Sequence, residues 1–171
     1  MNDYLVYLDL PEIPEHLIEP IDVIINKPPK PDSKIPTDFA PFQTCLVSKE
    51  LFEWVQDMFK IKCYTQYQII KRGLPTHKDI GRTVAFNYIL ETGGPNVLTT
   101  IYDDTKKMID YEEIKPHIWH RLKTDVFHNV TGITSSRVSI SVEIKEYKWN
   151  DAIPLVDVWR DWSDSNARPR T

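Results

Sequence analysis

Between residues 63 and 144 the chain is a succession of short segments rich in β-branched and aromatic residues, each closed by residues that turn the backbone. The segments run over 63–71, 83–90, 96–102, 115–123, 126–130 and 136–144. Gly73, the Gly93-Gly94-Pro95 run, Asp103-Asp104 and Gly132 separate them. Such residues suit pleated, half-buried strands, and turn-forming residues separate them. The pattern predicts a mainly β sandwich or barrel. One amphipathic helix is predicted over 48–60, with Ser48 as its N-cap and Leu51, Val55, Met58 and Phe59 on one stripe. It should cover one outer face of the β structure.

The flanks read differently. Pro11, Pro14, Pro20, Pro28, Pro29, Pro31, Pro36 and Pro41 punctuate residues 1–43, which predicts an irregular, extended arm because proline fixes φ and removes a ladder donor. Short apolar pieces at 5–10 and 21–25 could add edge strands. The 145–171 tail carries Trp149, Trp159 and Trp162, expected to pack on the body, and ends in polar residues expected to fray. At 171 residues the whole is read as a single domain.

Several classes of function are disfavoured. A net charge of -4 offers no broad positive field for a phosphate backbone, which argues against a nucleic-acid partner. No apolar run approaches a membrane span, and Met1-Asn2-Asp3-Tyr4 does not begin a secretory leader, so a cytoplasmic protein is expected. Cys45 and Cys63 are too few for a thiolate zinc site and read as core residues. Asn129-Val130-Thr131 matches the glycosylation pattern, without a leader to give it meaning. No GxSxG elbow supports a hydrolase. Oligomeric state is not legible.

The most informative word is Pro75-Thr76-His77-Lys78-Asp79. In extended chain, residues i and i+2 project to the same side, so the His77 imidazole and the Asp79 carboxylate can face one point. Later come Val126-Phe127-His128-Asn129-Val130, the Gly132 turn and Ser136-Arg137-Val138-Ser139. Strand, turn and returning strand would set His128 and Arg137 on neighbouring antiparallel strands. Two histidines and one carboxylate form the facial triad of non-haem iron(II) oxygenases. Along the last segment Arg137, Ser139, Ser141 and Glu143 alternate with Val138, Ile140, Val142 and Ile144, giving one polar and one apolar face. A surface strand would alternate in the same way, and the arginine and serine where the triad requires them favour a polar face toward a cavity with the apolar face under the helix. The same parity count carries His77, Asp79, Thr83 and Ala85 to Asn87, with Tyr67 and Gln68 as weaker candidates for the site.

The pattern His77-x-Asp79, His128 and Arg137-x-Ser139, with the arginine nine residues after the distal histidine, resembles the signature of the 2-oxoglutarate and iron(II)-dependent oxygenase superfamily. The likeness covers about residues 63–144 and is strongest to short, hydroxylase-like members from phage and marine bacteria. It implies a double-stranded β-helix, the cupin-like jelly roll, with one or more packing helices. It also implies that His77, Asp79 and His128 are catalytic and hold Fe(II), with 2-oxoglutarate and O2 as co-substrates. Arg137 would hold the distal carboxylate of 2-oxoglutarate, assisted by Ser139, and Asn87 would contact the co-substrate. The implied activity is hydroxylation of a C–H bond in a peptidyl side chain, amino acid or small metabolite, with release of succinate and CO2. The alternative is a β-helix domain that binds metal or ligand without turnover. His117 and His120 compete for the distal-ligand role but have no arginine at the matching offset, and are read as ordinary strand residues. Arg82 is read as a substrate-carboxylate or salt-bridge residue.

Overall fold

In the computed structural model the described residues are 3–30 and 42–154. Their elements are β1 (Leu5–Tyr7), a 3-10 turn (Glu15–Leu17), α1 (Ile21–Ile25), β2 (Phe42–Leu46), α2 (Lys49–Met58) and β3 (Cys63–Ile70). There follow β4 (Leu74–His77), β5 (Val84–Glu91), β6 (Leu98–Tyr102), β7 (Met108–Glu112), β8 (Trp119–Lys123), β9 (Phe127–Thr131) and β10 (Arg137–Ile144).

The pairing has a simple logic. β6 and β7 form a hairpin whose turn is built by Asp103, its carboxylate accepting from the backbone of Thr105 and Lys107, each at 2.9 Å. Outward from that turn, β5 pairs with β8, β4 with β9 and β3 with β10, all antiparallel. This long ribbon winds on itself, so β10 also lies against β5 and β9 against β6. The result is two sheets, β1-β8-β5-β10-β3-β2 and β4-β9-β6-β7. Eight strands wound in this order are a double-stranded β-helix, the jelly roll expected from the sequence.

Alternation along the strands separates two environments. Val138, Ile140 and Val142 of β10, with Phe86 and Tyr88 of β5, face outward into a core shared with Leu51, Val55 and Met58 of α2. The helix begins where the sequence indicated, the Ser48 Oγ accepting from the Leu51 N–H at 3.2 Å. Gln56 ties its other end to the sheet, donating to the Ile61 carbonyl at 2.8 Å and accepting from the Cys63 N–H at 3.1 Å. Both cysteines are buried in this core. The opposite faces of β10 and β5 look between the sheets, and there the site lies.

Four expectations need correction. Residues 21–25 form a helix rather than an edge strand: Pro20 caps its start, Asp22 stands in the first turn and Ile24 is driven into the core. Residues 5–7 do form an edge strand, β1 adding to β8 as the sequence allowed, whereas β2, absent from the predicted segments, adds to β3 at the other margin. β4 escaped the pattern because it is four residues long and contains a proline, and β7 because its Met108, Ile109 and Tyr111 are exposed and mark no buried face. Most consequential, β9 and β10 are not neighbours in one sheet: the Gly132 turn carries the chain from the four-stranded sheet to the six-stranded one. Trp54, Trp119 and Trp149 pack against the body, with Trp119 Nε1 donating to the Pro11 carbonyl at 2.9 Å. Trp159 and Trp162 lie outside the described residues. No described helix is long and apolar enough to cross a membrane.

Candidate metal centre

His77 ends β4 and is the register partner of His128 in β9, so the winding of the ribbon sets the two imidazoles side by side, ring centroids 4.4 Å apart. Asp79 lies two residues beyond His77, on a loop stitched to the end of β8. The Asp79 N–H donates to the Thr124 carbonyl at 2.9 Å, the Thr124 N–H to the Thr83 carbonyl at 2.9 Å and the Thr124 hydroxyl to the Arg82 carbonyl at 3.0 Å. One ligand atom each from His77, Asp79 and His128 falls within 4.8 Å of the other two, a group that could hold a metal ion.

Hydrogen bonding fixes which atoms converge. His77 Nδ1 donates to the Pro75 carbonyl at 2.7 Å and His128 Nδ1 to the Val126 carbonyl at 2.9 Å. A carbonyl only accepts, so each Nδ1 carries the proton and each Nε2 presents a lone pair. These Nε2 atoms lie 3.4 and 3.7 Å from Asp79 Oδ1. Arg82 occupies the other carboxylate oxygen, its Nε and Nη2 donating to Oδ2 at 2.9 and 2.6 Å. Two imidazole lone pairs and a carboxylate oxygen facing one point repel each other without a cation between them. The backbone carbonyls and Arg82 orient these donors as outer partners orient metal ligands.

The electrostatics follow. Burial alone would raise the Asp79 carboxyl, but the hydrogen bond from His77 once its ring takes up a second proton, and those from Arg82, outweigh it and hold it at about 2. The hydrogen bond to Asp79 raises His77, whereas burial lowers His128. With the carboxylate ionised, the donor set of two nitrogens and one oxygen suits a divalent ion of the first transition row.

Arg137 opens β10 and lines the same cavity as the three metal-site residues. It is only 4% exposed. Its Nε donates to the Thr92 carbonyl at 3.1 Å and its Nη1 to the Thr99 hydroxyl at 3.4 Å, while Nη2 has no partner. No carboxylate among the described residues pairs with it. Burial lowers its pKa to about 10, so it remains a cation at neutral pH. Gly93 makes this placement feasible: its φ is +87° and an added Cβ would lie 2.9 Å from both the N and Cβ of Arg137.

Ser139 and Asn87 line the cavity on the side the parity count indicated, and Gln68, one of the two weaker candidates, lines it as well. Tyr67 and Thr83 do not: Tyr67 is buried in the outer core, and the Thr83 hydroxyl donates to the Tyr147 carbonyl at 2.8 Å. His117 adopts a left-handed turn before β8, with φ 59°, instead of joining a strand. Arg82 is a carboxylate partner, but of Asp79, at the i+3 spacing visible in the sequence. His120 departs furthest from its reading. It is fully buried and lines the cavity, and only the β8–β5 register, absent from local sequence, could have placed it there. Asn129 is buried on β9, donating to the Tyr102 hydroxyl at 2.8 Å, which removes any meaning from its glycosylation pattern.

No protein-family model and no curated protein sequence matches the chain. Among solved structures it is similar to one of oxalate decarboxylase, described for the substrate binding mode and chemical basis of a reaction specificity switch. The identity is 9% and the TM-score 0.42, over 67% of this chain and 29% of that one. The chain therefore spans about 29% of that protein's length. A likeness so distant bears on no chemistry here, and the fold rests on the strand order.

Proposed function

We propose that this protein is an iron(II)- and 2-oxoglutarate-dependent dioxygenase that hydroxylates a C–H bond of a peptidyl side chain, amino acid or small metabolite. The observation that carries the reading is the coexistence, in one cavity, of a converging His77, Asp79 and His128 set and a buried Arg137 with which no carboxylate among the described residues pairs. A buried cation without a counter-charge is costly, so its presence favours an anionic ligand that completes it. A dicarboxylate able to chelate a metal at one end and meet a guanidinium at the other satisfies both halves of the cavity.

In this reading His77 Nε2, Asp79 Oδ1 and His128 Nε2 hold Fe(II), which supplies the redox chemistry with O2 when bound. Arg137, with a free Nη2, receives the distal carboxylate as a charge-assisted hydrogen bond, and Ser139 stands two residues on along the same face. Arg82 keeps one Asp79 oxygen occupied, leaving the other for the ion. Apolar walls from Ile70, Leu74, Ile89 and Val130 restrict water around the ligand. The overall reaction balances as substrate, 2-oxoglutarate and O2 giving hydroxylated substrate, succinate and CO2.

The test is anaerobic calorimetry of 2-oxoglutarate into Mn(II)-loaded protein, followed by succinate assay of the Fe(II)-loaded protein in air with ascorbate. Metal-dependent binding and slow succinate release without substrate are expected. Binding without succinate, with amino acids, peptides and cell extract supplied, would identify a metal-dependent ligand-binding domain instead.

A further inference from the structure

A second cavity adjoins the metal centre at the inner face of the six-stranded sheet. Its volume is about 230 Å³, and Lys30, Tyr64, Gln66, Arg82, Ser141 and Glu143 line it. The register of β3 and β10 builds its floor, because Ser141 stands opposite Gln66 and Glu143 opposite Tyr64, all on one face of the pair. Lys30 joins from the arm, where its N–H donates to the Thr44 carbonyl of β2 at 2.8 Å. The cavity shares the Arg82 side chain with the metal cavity, so a ligand seated here lies next to the metal centre.

The charges of this cavity are its informative feature. Arg82 is already engaged, its Nε and Nη2 by Asp79 and its Nη1 by Ser141 Oγ at 3.4 Å. Glu143 and Lys30 differ. Both are half-buried, neither charged group has a hydrogen-bond or ion-pair partner among the described residues, and the two do not meet each other. One cation and one anion held apart in a single cavity complement a ligand that carries both signs. At this volume, below the roughly 300 Å³ from which pockets for drug-sized ligands begin, that ligand is small. Gln66 and Ser141 add neutral hydrogen-bonding groups, and the Tyr64 ring beside Glu143 offers its face to an ammonium group. A free amino acid has this combination of size and charge. A residue inside a peptide has lost its ammonium and its carboxylate to amide bonds, and would leave Glu143 and Lys30 unanswered.

We infer that this cavity is the site of the primary substrate and that it selects a free amino acid, Glu143 receiving the ammonium group and Lys30 the carboxylate. This deepens the oxygenase reading and rests on it. It narrows the substrate from peptidyl side chains, amino acids and small metabolites to one of these classes. Glu143 and Lys30 are then specificity-determining residues rather than solvated surface charges.

The test is anaerobic calorimetry on Mn(II)-loaded protein with 2-oxoglutarate present. Each of the common L-amino acids is titrated in, followed by the N-acetyl and carboxamide derivatives of any that bind. At least one free amino acid should bind, and blocking either end should weaken it about tenfold or more. Glu143→Gln should weaken the free amino acid about tenfold and leave its N-acetyl derivative unchanged, whereas Lys30→Met should weaken it similarly and leave its carboxamide unchanged. The blocked derivatives probe the same contacts on wild type, so the result stands even where a variant fails to fold. A peptide or doubly blocked amino acid that binds as tightly as the free form overturns the inference, as does the absence of binding by every free amino acid. Equal affinity of the free amino acid for wild type and both variants overturns it as well. Wild type that binds a free amino acid but no 2-oxoglutarate would instead support the two charge contacts and sink the oxygenase reading.

Discussion

Arg137 ties one side chain to one chemical group and gives the sharpest expectation at the scale of the residue. Arg137→Lys preserves charge but replaces a planar fork with a point donor, and Arg137→Ala leaves none. Losing charge-assisted hydrogen bonds of roughly 1.5–3 kcal/mol should weaken 2-oxoglutarate by about ten- to a hundredfold, with metal affinity nearly unchanged. Equal 2-oxoglutarate affinity in wild type and Arg137→Ala, read by calorimetry on the metal-loaded protein, would remove Arg137 from the co-substrate site. Arg82 should behave in the opposite way. Because it holds Asp79 Oδ2, Arg82→Lys is expected to lower Mn(II) affinity by about tenfold or more. Metal titration followed by electron paramagnetic resonance measures that directly. The i+2 spacing of His77 and Asp79 made their convergence legible in sequence, whereas Arg82 was read only as a substrate-carboxylate or salt-bridge residue and the structure supplied Asp79 as its partner. His120 was not legible, because its neighbours in the cavity come from strands far away in the chain.

At the scale of the element, the decisive features are turns and registers. Gly93 precedes the crossing into β6 and lies against the start of β10, where an added methyl would press on the backbone and Cβ of Arg137. Gly93→Ala is therefore expected to destabilise by about 1–3 kcal/mol, through strain at positive φ and overpacking, and to weaken 2-oxoglutarate by displacing Arg137. Chemical denaturation and calorimetry on the same preparation would show both effects, and loss of stability without loss of affinity would separate the turn from the site. Helix α2 was readable because a capping serine and a 3.6-residue apolar stripe coincide. Helix α1 was misread because five apolar-rich residues fit a strand as well as a single turn, and burial of Ile24 settled the matter. β7 was missed because Met108, Ile109 and Tyr111 are exposed, so no alternation marks a buried face.

For the whole molecule, acid sensitivity should report the buried imidazole of His120. Burial lowers its pKa from 6.5 to about 4, so the folded state keeps it neutral while the unfolded chain protonates. Its contribution to stability is full above pH 6.5 and is lost as pH falls from there toward about 4, at up to roughly 1.4 kcal/mol per pH unit. Denaturation of metal-free protein at pH 7.0, 6.0 and 5.0 (values of about one unit spacing chosen to span that range) should show this slope, and His120→Gln should flatten it. An unchanged slope in the variant would mean that His120 does not stay neutral in the fold. Mn(II) should in turn raise the melting temperature, by an amount that keeps growing with the logarithm of free Mn(II) above its dissociation constant, and chelation should reverse the gain.

The sequence by itself determined what depends on near neighbours: the β character of 63–144, the helix under one face, the shared side of His77 and Asp79, and the inward parity of Arg137 and Ser139. Each rests on a period of two or 3.6 residues, or on a cap within one turn. Only the tertiary structure decided which strands meet. The ribbon's winding makes His77 and His128 register partners, sends β9 and β10 into different sheets, and buries His120 beside Asn87. Pairing between distant strands is set by how the whole ribbon buries its apolar faces, and that sum is not written in any one segment.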